Sequence, residues 1–140
     1  MERRDLIQDE IEQLGRVLGK IVATFLGMKS QGNVQAGIET AEQQLQSHLD
    51  LDVNKLLQLE GRDLIDYLQG LRFTAEYLED LSTYLLESGQ DQLADCDPEA
   101  VLRVQKAMEL LDIADELSKT ASLERMGKKS RIKELLDKCN

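Results

Sequence analysis

Residues 6–28 read LIQDEIEQLGRVLGKIVATFLGM, and this stretch decides the fold. Ile7, Ile11, Leu14, Leu18, Ile21, Phe25 and Met28 recur at alternating steps of four and three, a spacing that gathers on one side of an α-helix and on no face of a strand. Asp9, Glu12 and Arg16 fall on the other side, while Leu6, Val17, Val22 and Leu26 widen the apolar stripe beyond a coiled-coil seam. The pattern predicts a helix over about 4–27. Gly15 and Gly19 lie one turn apart within it, each costing about 1 kcal/mol of helix propensity relative to Ala. The pair reads as a notch where a neighbouring helix approaches closely.

Working outward, Ser30-Gln31-Gly32-Asn33 supplies turn residues, and Val34, Ile38, Ala41 and Leu45 restart the same rhythm, predicting a second helix over about 33–48. Asp50 and Asp52 stand as N-cap acids ahead of Val53, Leu56 and Leu57, and a second short helix over about 62–69 ends at Gly70. Leu71, Ala75, Leu78, Leu81 and Leu85 predict a buried helix over about 71–87, closed by Gly89. Asp97-Pro98-Glu99 places a capping acid before proline at the first helical position of a helix over about 98–119. Leu123, Met126, Ile132, Leu135 and Leu136 describe a last helix, with Gly127 as a weak point. The expected fold is all-α in one domain, with about five main helices and one or two short connecting ones. Its parts are an N-terminal hairpin over 1–48, connecting helices over 49–70, a helix pair over 71–119 and a basic helix over 120–140.

Leu78, Leu81, Ser82, Leu85 and Gly89, followed by Ala100, Val104 and Ala107, place large and small residues in the order of a tetratricopeptide unit. In such a unit small residues let two antiparallel helices approach; Ser82, Ala100 and Ala107 take those roles, Leu78 and Val104 pack beside them, and Gly89 takes the turn. The loop after Gly89 is about six residues longer than the standard turn. Gly32, Gly37 and Ala41 echo the second helix of a unit, but Phe25 stands where a small residue belongs. With IEQLGRVLGKI near the start, DLDVNKLLQLEGRDLIDYL in the middle and SLERMGKKSRIKELL near the end, the chain resembles a family of small bacterial helical proteins with a tetratricopeptide-like fold and no assigned activity. The resemblance implies antiparallel hairpins stacked as a right-handed array.

Composition narrows the function classes. The formal net charge is −10, and 15 acidic against 3 basic side chains lie between Glu39 and Glu99, a balance that repels phosphate backbones and anionic lipid. Nucleic acid is not an expected partner. Between Lys119 and Lys138 the sign reverses, with 7 basic and 3 acidic residues. That layout suits intramolecular docking or an anionic partner, although a solvated helix face is the simplest account. The longest apolar stretch is interrupted by Lys20 and falls short of the roughly 18–20 residues of a membrane span, so no membrane partner is expected. The first residues, Met-Glu-Arg-Arg-Asp, do not read as a secretory leader, and a cytoplasmic location is expected. Cys96 and Cys139 are distant in sequence, outside any C-x-x-C spacing, and read as reduced thiols without a metal or redox role.

No enzyme is expected. His48 is the sole histidine, which removes hydrolytic triads and the paired Glu-x-x-His of di-iron bundles. Asp50, Asp52 and Asn54 mimic the start of a calcium loop, but Lys55 occupies the required Gly and Gly61 the bidentate Glu position. Carboxylate groups such as Asp91, Asp95 and Asp97 read as solvated loop acids, and no Gly-rich phosphate loop is present. With neither cofactor nor metal expected, the remaining reading is a protein-binding module. Glu76, Glu79, Thr83 and Leu86 would face a groove that takes a basic or mixed peptide. The alternatives are a homodimer formed through the first helix at Gly15 and Gly19, and an anionic partner for the basic C-terminal helix.

Overall fold

The apolar stripe of residues 6–28 lies on α1 (Arg3–Ser30), which turns back through Gly32 into α2 (Val34–Leu49). Gly32 adopts φ +82°, a left-handed conformation costly for residues with a Cβ, and the turn closes through Gly32 N–H to Lys29 O and Asn33 N–H to Met28 O, both 2.9 Å. The computed structural model describes residues 3–139, with side chains from Leu6 onward. Met1 and Glu2, part of the stretch that reads as no leader, lie outside the described residues. Every regular element among the described residues is a helix.

The chain divides into two compact units, Met1–Phe73 and Thr74–Asn140, where composition and length led to the expectation of one core. In the first unit, α1 and α2 pack as an antiparallel pair, burying Leu18, Ile21, Val22 and Phe25 of one and Ala41 and Leu45 of the other. Phe25 occupies a place where the repeat pattern wants a small residue, and Gly37 makes room for it: a Cβ on Gly37 would lie 3.1 Å from the Phe25 ring. The roles of large and small side chain are exchanged between the helices. Gly19 behaves differently from its expectation, since a Cβ there would meet nothing within 4 Å. A close glycine contact between α1 and α2 is made by Gly37 and not by Gly19.

Two short helices follow, α3 (Val53–Gln58) and α4 (Gly61–Gly70). Asp52 caps α3 by accepting from the N–H groups of Asn54 and Lys55, at 3.0 and 3.3 Å, which explains the acid there without calcium. Tyr67 of α4 accepts the Asp52 N–H at 3.0 Å while Lys55 stands 5.0 Å over its ring, so one aromatic side chain ties the two short helices together. Arg72, in the left-handed region at φ 64°, reaches Glu10 of α1 at 2.6 Å.

The second unit comprises α5 (Ala75–Leu93), α6 (Pro98–Ser118) and α7 (Leu123–Asp137). Thr74, Asp97 and Ser122 cap the three N-termini through side-chain oxygens, and Pro98 begins α6 as its sequence predicts. Leu71 to Thr74 precede α5 rather than belonging to it. Gly89 does not close α5, which continues four residues further. It is buried mid-helix against α6, where its missing Cβ would lie 3.2 Å from the Ala100 carbonyl oxygen. Gly89 therefore serves close approach and not the turn. Two turns earlier Ser82 donates its hydroxyl to the Ala107 carbonyl at 2.8 Å. Ser82 facing Ala107 and Gly89 facing Ala100 fix the antiparallel register of α5 and α6, around which Leu78, Leu81, Tyr84, Leu85, Val104, Leu110 and Leu111 are buried. Helix α7 continues through Gly127 without a break.

These glycines make opposite predictions. Gly19→Ala fills open space and gains helix propensity, so it should stabilise the first unit by about 0.5–1 kcal/mol. Gly89→Val drives a branched side chain into backbone and should destabilise the second unit by about 1–3 kcal/mol. Urea denaturation followed by circular dichroism measures both.

Candidate functional site

The face of α5 that carries Glu76, Glu79, Thr83 and Leu86 is not an open groove. Basic helix α7 lies against α5 and α6, leaving only Glu76 of the four exposed. Leu86 is buried, and Thr83 is half-buried with its hydroxyl donating to the Glu79 carbonyl at 3.1 Å. The expectation of a solvent-facing surface fails because the oppositely charged C-terminal segment reaches back onto it.

Arg125, in the first turn of α7, is the centre of the contact. Its Nε donates to Asp115 at 2.6 Å, Nη1 to Glu79 at 2.8 Å, and Nη2 to the Ser118 hydroxyl and Thr120 carbonyl, each at 3.0 Å. Planar guanidinium geometry lets one side chain serve a carboxylate from α5, another from α6 and the polar end of α6 together. One turn on, Lys129 bridges Asp115 and Asp112, the latter at 2.7 Å. Lys128 and Arg131 line a cleft with Thr83 and Leu86, and Ile132, almost fully buried, is the apolar anchor beside them. The cleft measures only 140 Å³, smaller than the ~300 Å³ at which small-molecule pockets begin.

Charge states follow from this wiring. The Lys129 hydrogen bond, with that of Arg125, outweighs burial and holds the Asp115 carboxyl below 3.8, its ordinary value. Bonds to Asp112 and Asp115 hold Lys129 above 10.5. Asp80 moves the other way, raised chiefly by burial and further by Glu79 and Glu76, with Lys128 opposing. A stripe of acids on α5 is thus held close together, and the cations of α7 relieve it.

A covalent link fastens the far end of α7. Cys96, in the turn between α5 and α6, and Cys139, just past α7, form a disulfide with Cα atoms 5.5 Å apart. The expectation of two reduced thiols is corrected by this proximity, which sequence separation conceals: the antiparallel return of α7 brings residue 139 beside the turn it encloses. Closing a loop of 43 residues stabilises the unit by about 4 kcal/mol in the chain-entropy account. Cys96 is exposed and lines a cleft of 510 Å³ with Gln90, Asp91, Leu135 and Lys138.

The remaining sequence candidates belong to the first unit. Gly15 is half-buried and Gly19 unfilled on α1, and His48 is exposed at the end of α2. Among the described residues, no three His, Cys, Asp or Glu side chains gather as a metal ion would require. No helix there is long and apolar enough to cross a membrane.

The pH dependence of α7 docking has a definite sign. Asp115 is depressed, so its contribution is complete above 3.8 and is lost as pH falls through the lower folded value. Lys129 is raised, so its contribution is complete below 10.5 and is lost as pH rises through the higher folded value. Hydrogen-exchange protection of α7 amides should fall as pH drops below 3.8 and as it rises beyond 10.5, with Asp80 adding a further change just above the lower limit, while Arg125→Ala should lower protection and thermal midpoint throughout.

Comparison with protein-family models, curated proteins and solved structures finds no match.

Proposed function

We propose that the chain is a non-enzymatic protein-binding module of tetratricopeptide-like type whose α5 face receives a basic amphipathic helix. The observation that carries this reading is the seating of α7. Glu79, Asp112 and Asp115 engage a basic helix through the side chains at 125 and 129, with Ile132 as the apolar contact. A surface that holds such a helix in cis has the charge and shape to hold one in trans. Support for the tetratricopeptide-like character comes from the small residues Ser82, Gly89, Ala100 and Ala107 at the α5–α6 contact. A basic helix from another protein would compete with α7, whose tethering raises its effective concentration into the millimolar range.

A labelled synthetic peptide of residues 122–138 tests the reading in reducing buffer. The full-length Arg125→Ala/Lys129→Ala protein, with its own helix weakened, should bind the peptide at least ten-fold more tightly than the unaltered chain. Adding Glu79→Lys should abolish the gain. If the double variant keeps its helicity and binds no better than the unaltered chain, the reading fails.

Self-association through α1 is the second reading, favoured by the exposure of Leu6 and Ile7, at 50% and 39%, and by the unfilled space at Gly19. Light scattering should then report a concentration-dependent dimer that Gly19→Leu disrupts without loss of helicity. A monomer at every concentration removes this reading. An anionic partner for α7 is disfavoured, because Arg125 and Lys129 are already engaged.

A further inference from the structure

We propose that the Cys96–Cys139 disulfide is a thiol–disulfide exchange site that latches α7 over the α5 face, so that a dithiol reductant releases the helix. The inference stands on where the bond lies relative to the other attachments. Helix α7 has 15 residues, too few to be stable alone in water, and its only buried residues are Arg125 and Ile132. The ionic contacts of Arg125 and Lys129 hold its first half. Past Ile132 the helix offers only half-buried Leu135 and Leu136, and then the disulfide. Without that bond the C-terminal half loses its firmest attachment, and opening begins there.

The bond is placed for exchange. Cys96 is exposed in a turn and borders an open cleft, whereas Cys139 is half-buried. A thiolate of the reductant attacks Cys96 Sγ, forming a mixed disulfide and expelling the Cys139 thiolate, which takes up a proton. The second thiolate of the reductant then attacks its own sulfur in the mixed disulfide. It leaves as a cyclic disulfide and frees the Cys96 thiolate, which is protonated in turn. Two electrons and two protons pass from the dithiol to the protein. Oxidation by a disulfide donor reverses the sequence and closes the latch.

The consequence for binding rests on the reading of the α5 face as a helix receptor; release of α7 does not. Hydrogen exchange monitored by mass spectrometry on the full chain separates the two. Dithiothreitol should accelerate exchange in residues 123–137 at least ten-fold and leave the buried amides of α5 and α6 within two-fold. Cys139→Ser should reproduce the fast exchange without reductant and show no further response to it. Thiol titration should find no free thiol after treatment with oxidised glutathione and two after dithiothreitol. Equal α7 protection in both redox states overturns the latch, as does failure of the oxidised protein to form the intramolecular bond. Fast α7 exchange in reduced protein, with no peptide captured by the Arg125→Ala/Lys129→Ala protein, upholds the latch and removes the receptor reading instead.

Discussion

The guanidinium of Arg125 meets Glu79 from one helix and Asp115, Ser118 and Thr120 from the next, so the placement of α7 depends on a group that hydropathy alone would assign to solvent. Two carboxylates brought together at the edge of a packed helix pair repel each other, and a cation forked between them turns that repulsion into attachment. Lys129 extends the arrangement by one helical turn. The acidic middle of the chain and its basic end are therefore two halves of one contact within the second unit, and the net charge of −10 is unevenly spent.

Much of the fold is legible in the sequence because burial imposes periodicity. The stripe from Ile7 to Met28 marks α1, the Asp97-Pro98 pair marks the start of α6, and Asp52 marks the start of α3. Glycine is harder to interpret. Gly89 has the composition of a helix stop, yet it permits close packing inside α5, because the nearness of Ala100 is a property of the partner helix. Gly19 has the composition of a packing notch and faces open space. A glycine reports that a Cβ is absent but not what profits from the absence.

The candidate site is less legible, for the same reason at larger scale. Glu79, Thr83 and Leu86 lie on the expected face of α5, but what covers that face is a largely charged helix whose Arg125 is 46 residues from Glu79. The reversal of charge near the C-terminus was the available signal. Periodicity could not use it, since α7 turns Arg125 inward and leaves Leu123 and Met126 outward, at 85% and 51% exposure. Likewise the spacing of Cys96 and Cys139 carries no signature, because their meeting depends on the length and direction of two intervening helices.

This inverted seating has a thermal consequence. Apolar burial, which holds α5 against α6, strengthens on warming only to a plateau, whereas the cost of stripping water from charged groups keeps falling as temperature rises. The two kinds of contact in the second unit thus respond differently to heat, so warming shifts the balance toward the ionic seam relative to the greasy one. A helix fastened by charge on its inner side goes on gaining hold with warming after its hydrocarbon-lined neighbours have stopped gaining.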